Sequence, residues 1–404
     1  MTTTKNNEHK NIKVPNLRFP EFQGEWKEST IGEMFDLYSG NTPSRLNKEH
    51  FTGTVNWISS GELKEHYIYS SKEQISEEAA KSLKLLPVGT FVIAIYGLEA
   101  EGVKGTGSII QEPSTISQAC MSFIPKGVIE NEFLYSWYKK HGNVIGIRYA
   151  QGTKQQNLSY DILEKFMIAY PNTKEQEKLN KFISLLDERI TTQNKVIDKL
   201  QSLIKGINQR VFMNNGINYK LGEISEIRSG YSGNQLLSKK GLKVSRIETI
   251  SGHKVNLERV GYVAPFESSE NYKLQVGDIL FSNINSVEYI GNTAFIDKDY
   301  DLYHGMNLLR LTPNNMVVIP FYLYLLLNTN RMLNRFKTVC NKAVSQASIN
   351  QTELGKTVVQ IPSINNQKQI CELYQALYTK LETESNTKSL FQNQKQYLLR
   401  QMFI

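Results

Sequence analysis

Between residues 179 and 211 apolar positions recur at steps of seven. Ile183, Ile190, Ile197, Ile204 and Val211 hold one register; Leu179, Leu186, Leu200 and Ile207 hold a second, which Gln193 interrupts. β-Branched residues at one core position and Leu at the other are the preference of a two-stranded coiled coil. No Pro or Gly intervenes before Gly206, so the pattern predicts a helix of about 40 residues, about 60 Å long. Residues 366–403 repeat it more roughly. Ile370, Leu377, Phe391 and Leu398 keep one position and Leu381 and Met402 the other, while Glu384, Lys388 and Lys395 intrude. Elsewhere the pattern is shorter. "TFVIAIYG" (90–97) and "DILFSNI" (278–284) predict strands, and "NEFLYSWYKKHG" (131–142) and "IPFYLYLLLNTNRMLNRFK" (319–337) predict helices.

These elements occur twice. "IGEMFDLYSGNTPS" (31–44) returns as "LGEISEIRSGYSGN" (221–234), and "LPVGTFVIAIYG" (86–97) as "LQVGDILFSNIN" (274–285). "PNTKEQEKL" (171–179) returns as "PSINNQKQI" (362–370), pairing Pro171 with Pro362 and Gln176 with Gln367. A constant order at nearly constant offset indicates a tandem duplication, with a period far too long for a solenoid. The intervening stretches 45–80 and 235–268 share almost nothing, so one scaffold carries two different surfaces. The expected fold is α+β: globular domains at 1–172 and 216–363, and long helices at 173–215 and 364–404. Parallel helices would require the second domain to bridge about 60 Å, while a domain of that size is about 40 Å across. An antiparallel coiled coil with a pseudo-twofold axis is therefore expected.

Composition narrows the partners. The 404 residues carry a net charge of +8, which favours a polyanion. Residues 1–172 are nearly neutral, so any contact there is made by local patches. Cys120, Cys340 and Cys371 have no CxxC spacing, and the polar "MTTTKNNEHKNIK" start has no apolar signal region. The longest apolar run, 316–327, is too short for a membrane span. A reducing cytoplasm and no membrane partner are the expectation.

Two unlike domains on a rigid spacer form a caliper that matches half-sites on duplex DNA. Here the residues carry a resemblance. "NLRFPEFQGEWKESTIGEMFDLYSGNTPS", "YAQGTKQQNLSYDILEKFMIAYPNTKEQEKLNKFI" and "SQASINQTELGKTVVQIPSINNQKQICEL" resemble the specificity subunits of type I restriction-modification systems over nearly the whole chain. The second copy departs from the pattern, with "INNQKQI" where an acid–Gln pair is usual. The resemblance implies a non-catalytic subunit whose two domains each read half of a split asymmetric target in double-stranded DNA, with the helices fixing the gap. It also implies two modification subunits bringing S-adenosylmethionine, and two restriction subunits using ATP and Mg²⁺, with no cofactor on this chain. A nucleic-acid-binding scaffold without sequence specificity is the alternative.

Catalytic motifs are poor. "GLEAEGVKG" (97–105) lacks the phosphate-loop Lys, since Val103 stands in its place. Glu62-Leu63-Lys64 has a nuclease-like form but no preceding Pro-Asp, and the six His show no ligand or triad spacing. Candidate DNA-binding residues therefore lie in loops and basic helix ends. Ser39, Gly40, Asn41, Thr42, Ser44 and Arg45, with Arg228, Ser229, Gly230 and Tyr231, offer small residues and charge for phosphates. Lys154, Gln155, Gln156, Gln346 and Ser348 offer groups that bond base edges. Lys139, Lys140 and Arg148, with Arg331, Arg335 and Lys337, form basic clusters; Arg246 and Trp57 are weaker candidates. His141 and His304 adjoin polar loops.

Overall fold

A computed structural model describes residues 13–100, 102–152, 156–212, 216–342 and 346–404. The chain forms two compact units. The first comprises Met1–Lys195 with Ser385–Ile404, and the second Val196–Glu384. Each unit thus contains one globular part, one end of the helix Thr173–Val211 and the opposite end of the helix Ile364–Met402. In the first unit Leu179, Ile183 and Leu186 share a core with Leu398, Leu399 and Met402. In the second, Ile204 and Ile207 cluster with Tyr374, Leu377 and Leu381. The start of each long helix lies beside the end of the other, which is antiparallel pairing.

The duplication holds strand by strand. In the first unit the strands Phe35–Ser39, Cys120–Pro125, Phe91–Ala94 and Gly107–Ile110 lie in that order in a sheet, with Tyr67–Ile68 at its edge. In the second, Ser225–Ser229, Leu308–Pro313, Ile279–Ser282 and Thr293–Phe295 form a four-stranded sheet in the same order. Each unit closes with an antiparallel pair, Lys27–Thr30 on Met167–Tyr170 and Ile217–Lys220 on Val358–Ile361. The recurring Gly-Glu belongs to the one-turn helix that follows. Glu33 accepts a hydrogen bond from Thr30 N–H, and Glu223 one from Lys220 N–H, both at 2.7 Å. The recurring Val-Gly is a turn into a buried strand: Gly89 has φ +85° and Gly277 φ +100°, values costly for any other residue.

The divergent stretches differ chiefly in sequence: both carry an antiparallel strand pair, to which the first unit adds a third strand. Glu73–Ile75, Val55–Ile58 and Ser114–Ile116 make a three-stranded sheet in the first unit. Leu242–Val244 and Gly261–Val263 make a two-stranded one in the second. The predicted helix over 319–337 is two helices, Pro320–Leu327 and Asn330–Val339. The break is local side-chain chemistry: Asn328 Nδ2 donates to Tyr324 O, and Thr329 caps the second helix by accepting from Met332 N–H.

Two of the polar intruders in the second helical seam, Lys395 and Glu384, have ionic partners. Lys395 donates to Asp187 at 2.5 Å, and Asp187 also meets His66 at 3.0 Å. The other ring nitrogen of His66 lies 2.9 Å from Glu132, and the ring is stacked against Tyr67 and Tyr135. Burial alone would lower the His66 pKa, but its hydrogen bonds to the two carboxylates prevail and raise it. Glu384 pairs with Lys380 one turn away at 2.5 Å.

Candidate nucleic-acid interface

In the first unit the loop 39–45 is fastened down by backbone. Gly40 N–H donates to Cys120 O and Asn41 N–H to Ile116 O. A Cβ on Gly40 would lie 2.0 Å from Ile116 O, so the glycine permits this close crossing. Asn41 O accepts from the buried Trp57 indole at 3.0 Å, and Asn41 Oδ1 accepts from Thr42 N–H. Ser39 and Ser44 are exposed. Arg45 differs from the expectation of a phosphate clamp. It makes a forked pair with Glu73 at 2.6 and 2.7 Å, and its guanidinium sits 4.1 Å over the Phe51 ring. The pair raises the pKa of Arg45 and lowers that of Glu73.

The basic helix end at 139–148 also differs from expectation. Lys140 Nζ donates to Phe403 O at 2.5 Å, and the His141 ring donates to Ile404 O at 2.9 Å. Lys139 lies over Tyr135, and burial, aided by the charge of Lys395, pulls its pKa down to about 8. Lys140 and His141 thus hold the residues that follow the second long helix; Arg148 is exposed. Gln156 N–H donates to Glu99, which puts a carboxylate in the failed phosphate loop. Lys154 and Gln155 lie outside the described residues. Glu62 is a capping residue: its carboxylate accepts from Ser59 N–H, Ser59 Oγ and Lys72 N–H.

The second unit brings its predicted loop to a cavity of about 470 Å³. Arg228 and Ser229 line it, together with His304, Arg310, Asn271 and Gln351. Gly230 crosses the backbone at Gly305, where a Cβ would lie 1.9 Å from the carbonyl, the counterpart of Gly40 at Ile116. Tyr231 stacks on Phe266 at 3.9 Å and meets the edge of Tyr272, another wall residue. Arg310 is 7% exposed. It donates to Asn271 O and Lys273 O, while its Nε–H has no partner. Among the described residues no carboxylate pairs with it. His304 donates from Nε2 to Leu308 O; burial, with Arg310 adding to it, lowers its pKa to about 4. It is neutral at pH 7 and adds no charge.

The remaining candidates are dispersed. Arg246 lies 3.5 Å from Glu248. Arg331 and Arg335 line a separate cavity of about 480 Å³, where Arg335 donates to Val358 O; Lys337 is half-buried on the same helix. Gln346 is exposed, and Ser348 pairs in register with Ile284 and Asn341 in a small ribbon. Sequence reasoning missed Arg310, Asn271, Tyr272 and Gln351. One signal for Arg310 was available: it is a lone charge within the apolar strand sequence "LLRLTP".

No group of three His, Cys, Asp or Glu among the described residues is placed to hold a metal ion. No described helix is long and apolar enough to cross a membrane. The type I restriction modification DNA specificity domain matches the chain twice, at residues 23–202 and 216–390. The chain is 37% identical over 180 residues to the MjaX specificity subunit of Methanocaldococcus jannaschii, a match covering 44% of this chain and 42% of that one. To the EcoR124I/EcoR124II specificity subunit of Escherichia coli it is 32% identical over 190 residues, covering 46% and 45%. These matches span less than half the length of either relative. The fold is similar to that of a type I restriction-modification S subunit from M. genitalium, with a TM-score of 0.58 and 18% identity over 97% of this chain and 99% of that one.

Proposed function

Because this chain belongs to the family of type I restriction modification DNA specificity domains, we propose that it is the non-catalytic specificity subunit of such a system. Each globular part reads one half of a split asymmetric sequence in double-stranded DNA. The long helices fix the gap and dock two modification subunits, which bring S-adenosylmethionine; two restriction subunits, using ATP and Mg²⁺, complete the assembly in the cytoplasm. The observation that carries this reading is the duplicated scaffold with unlike surfaces. Two sheets share one strand order, while the stretches 45–80 and 235–268 beside them share almost no sequence. A repeat kept for stability alone has no need for two different loop surfaces, whereas a reader of two different half-sites requires them.

The test is single-molecule methylome sequencing of a host carrying this gene with its modification subunit. A methylated bipartite motif that disappears when this gene is deleted is the expected result. Methylation that persists at the same motif without this chain overturns the reading.

A further inference from the structure

The cavity in the second unit has a feature that neither the repeat nor the family match accounts for. Arg228 and Arg310 are directly opposed on neighbouring antiparallel strands. Like charges directly opposite across a strand pair are destabilising, and a buried cation without a counter-charge is more so. Arg228 is exposed and finds Glu226 at 2.6 Å. Arg310, buried, finds only two backbone carbonyls, which use two of its five N–H donors. The first unit shows how the same scaffold avoids the problem. Its register-equivalent pair is Tyr38 opposite Ser122, and Ser122 Oγ donates to Tyr38 O. The second unit has thus placed two guanidinium groups where the scaffold accommodates a neutral pair, and left a cavity beside them.

We propose that this cavity binds a phosphate group, with Arg310 as its deep contact and Arg228 as its rim contact. The walls support a phosphate over a smaller anion. Hydroxyls come from Ser229 and Ser268 and a carboxamide from Asn271, and the planar guanidinium fork matches phosphate oxygens. About 470 Å³ leaves room for a sugar beside the phosphate. Resting on the reading of this chain as a DNA-recognition subunit, the source is a backbone phosphodiester, which makes backbone anchoring stronger in one half of the molecule than in the other. A free phosphate is the other source of the same chemistry.

The experiment uses the full-length chain and its variants Arg228→Gln, Arg310→Lys and Arg310→Gln. Arg228→Gln changes an exposed side chain and guards against a folding defect at Arg310, with circular dichroism as the check. In one arm, affinity for a random-sequence duplex is followed against salt concentration. A backbone phosphodiester predicts a slope of log Kd against log salt shallower by about 0.9 in each Gln variant, the change expected for one lost phosphate contact. In Arg310→Lys the slope is kept and the affinity falls. In the other arm, inorganic phosphate is added in a thermal melt. A rise in melting temperature for the unsubstituted chain only, with unchanged DNA slopes, assigns the cavity to a free phosphate. Unchanged slopes together with no phosphate-dependent shift overturn the proposal. Failure of the unsubstituted chain to bind duplex at all counts against the specificity reading, and the phosphate arm then decides the cavity alone.

Discussion

The side chain of Gln176 accepts a hydrogen bond from the Glu130 backbone N–H at 3.0 Å and donates to Val128 O and Pro171 O. Glu130 caps the helix Asn131–Tyr149, so one carboxamide joins the first long helix to the main helix of the globular part. Gln367 repeats the arrangement, accepting from Ile319 N–H at 2.7 Å and donating to Val317 O and Pro362 O. Both glutamines are fully buried. This clamp is the physical content of the repeated Pro-to-Gln spacing. Gln176→Ala strands one backbone donor and two acceptors in the interior, and a loss of about 3 kcal/mol is expected. Urea unfolding checks it, and Gln367→Ala should cost a similar amount.

The acid beside the clamp explains why the copies differ. Glu175 receives a forked pair from Arg18 at 2.7 Å and a bond from the Trp26 indole at 3.3 Å. It thereby anchors the N-terminal segment of the first unit to the first long helix. The second copy has Asn366 at this position, whose N–H is bonded to Ser363 Oγ. Glu175→Gln leaves the Arg18 charge without its counter-ion, and a loss of about 3 kcal/mol is expected. Asn366→Asp should leave stability nearly unchanged. Thermal melts of the two variants, side by side, test the contrast.

His304 sets an acid limit on the second unit. Its folded pKa is about 4, below the value near 6.5 for a free His. Between those pH values the unfolded chain binds a proton that the folded chain refuses. Stability is therefore whole above about pH 6.5 and falls as pH drops toward 4, by on the order of 3 kcal/mol for this group. Urea midpoints from pH 7 to pH 4 should show this slope in the unsubstituted chain and lose part of it in His304→Gln.

Exchange of residues 1–150 for the corresponding stretch of a relative should change one half of the methylated motif and leave the other. The clamp tolerates the exchange, because Gln176 bonds only backbone atoms of the replaced part. Methylome sequencing of the chimera is the measurement; a change in both halves would mean the two surfaces read jointly.

The residues that end the long helices are equivalent plugs. Phe403 packs against Phe133 at 5.2 Å and Trp26 at 6.5 Å in the first unit, and Phe212 packs against Tyr322 at 5.5 Å in the second. Residues 1–213 alone should therefore dimerise, with Phe212 of each copy taking the place of Phe403. Phe212→Ala should weaken that dimer by on the order of 3 kcal/mol. Light scattering decides, and a soluble monomeric fragment counts against the idea.

The sequence by itself determined the duplication, the two long helices and their antiparallel sense. Each follows from periodicity, from a constant offset or from chain length, and these act along the chain. Ile183 and Ile204 are legible as core because the seven-residue spacing places them on one stripe whatever the partner. The tertiary structure decided everything that depended on which side chain meets which across long separations. Arg45 looked free until Glu73 was found beside it, and Lys140 looked like a phosphate clamp until Phe403 arrived from the other end of the chain. Arg310 was hidden because strand alternation assigns a residue to a face, but only strand register sets it opposite Arg228. Local pattern carries no information about such pairings, so the scaffold was readable in one dimension and the charge chemistry of its loops only in three.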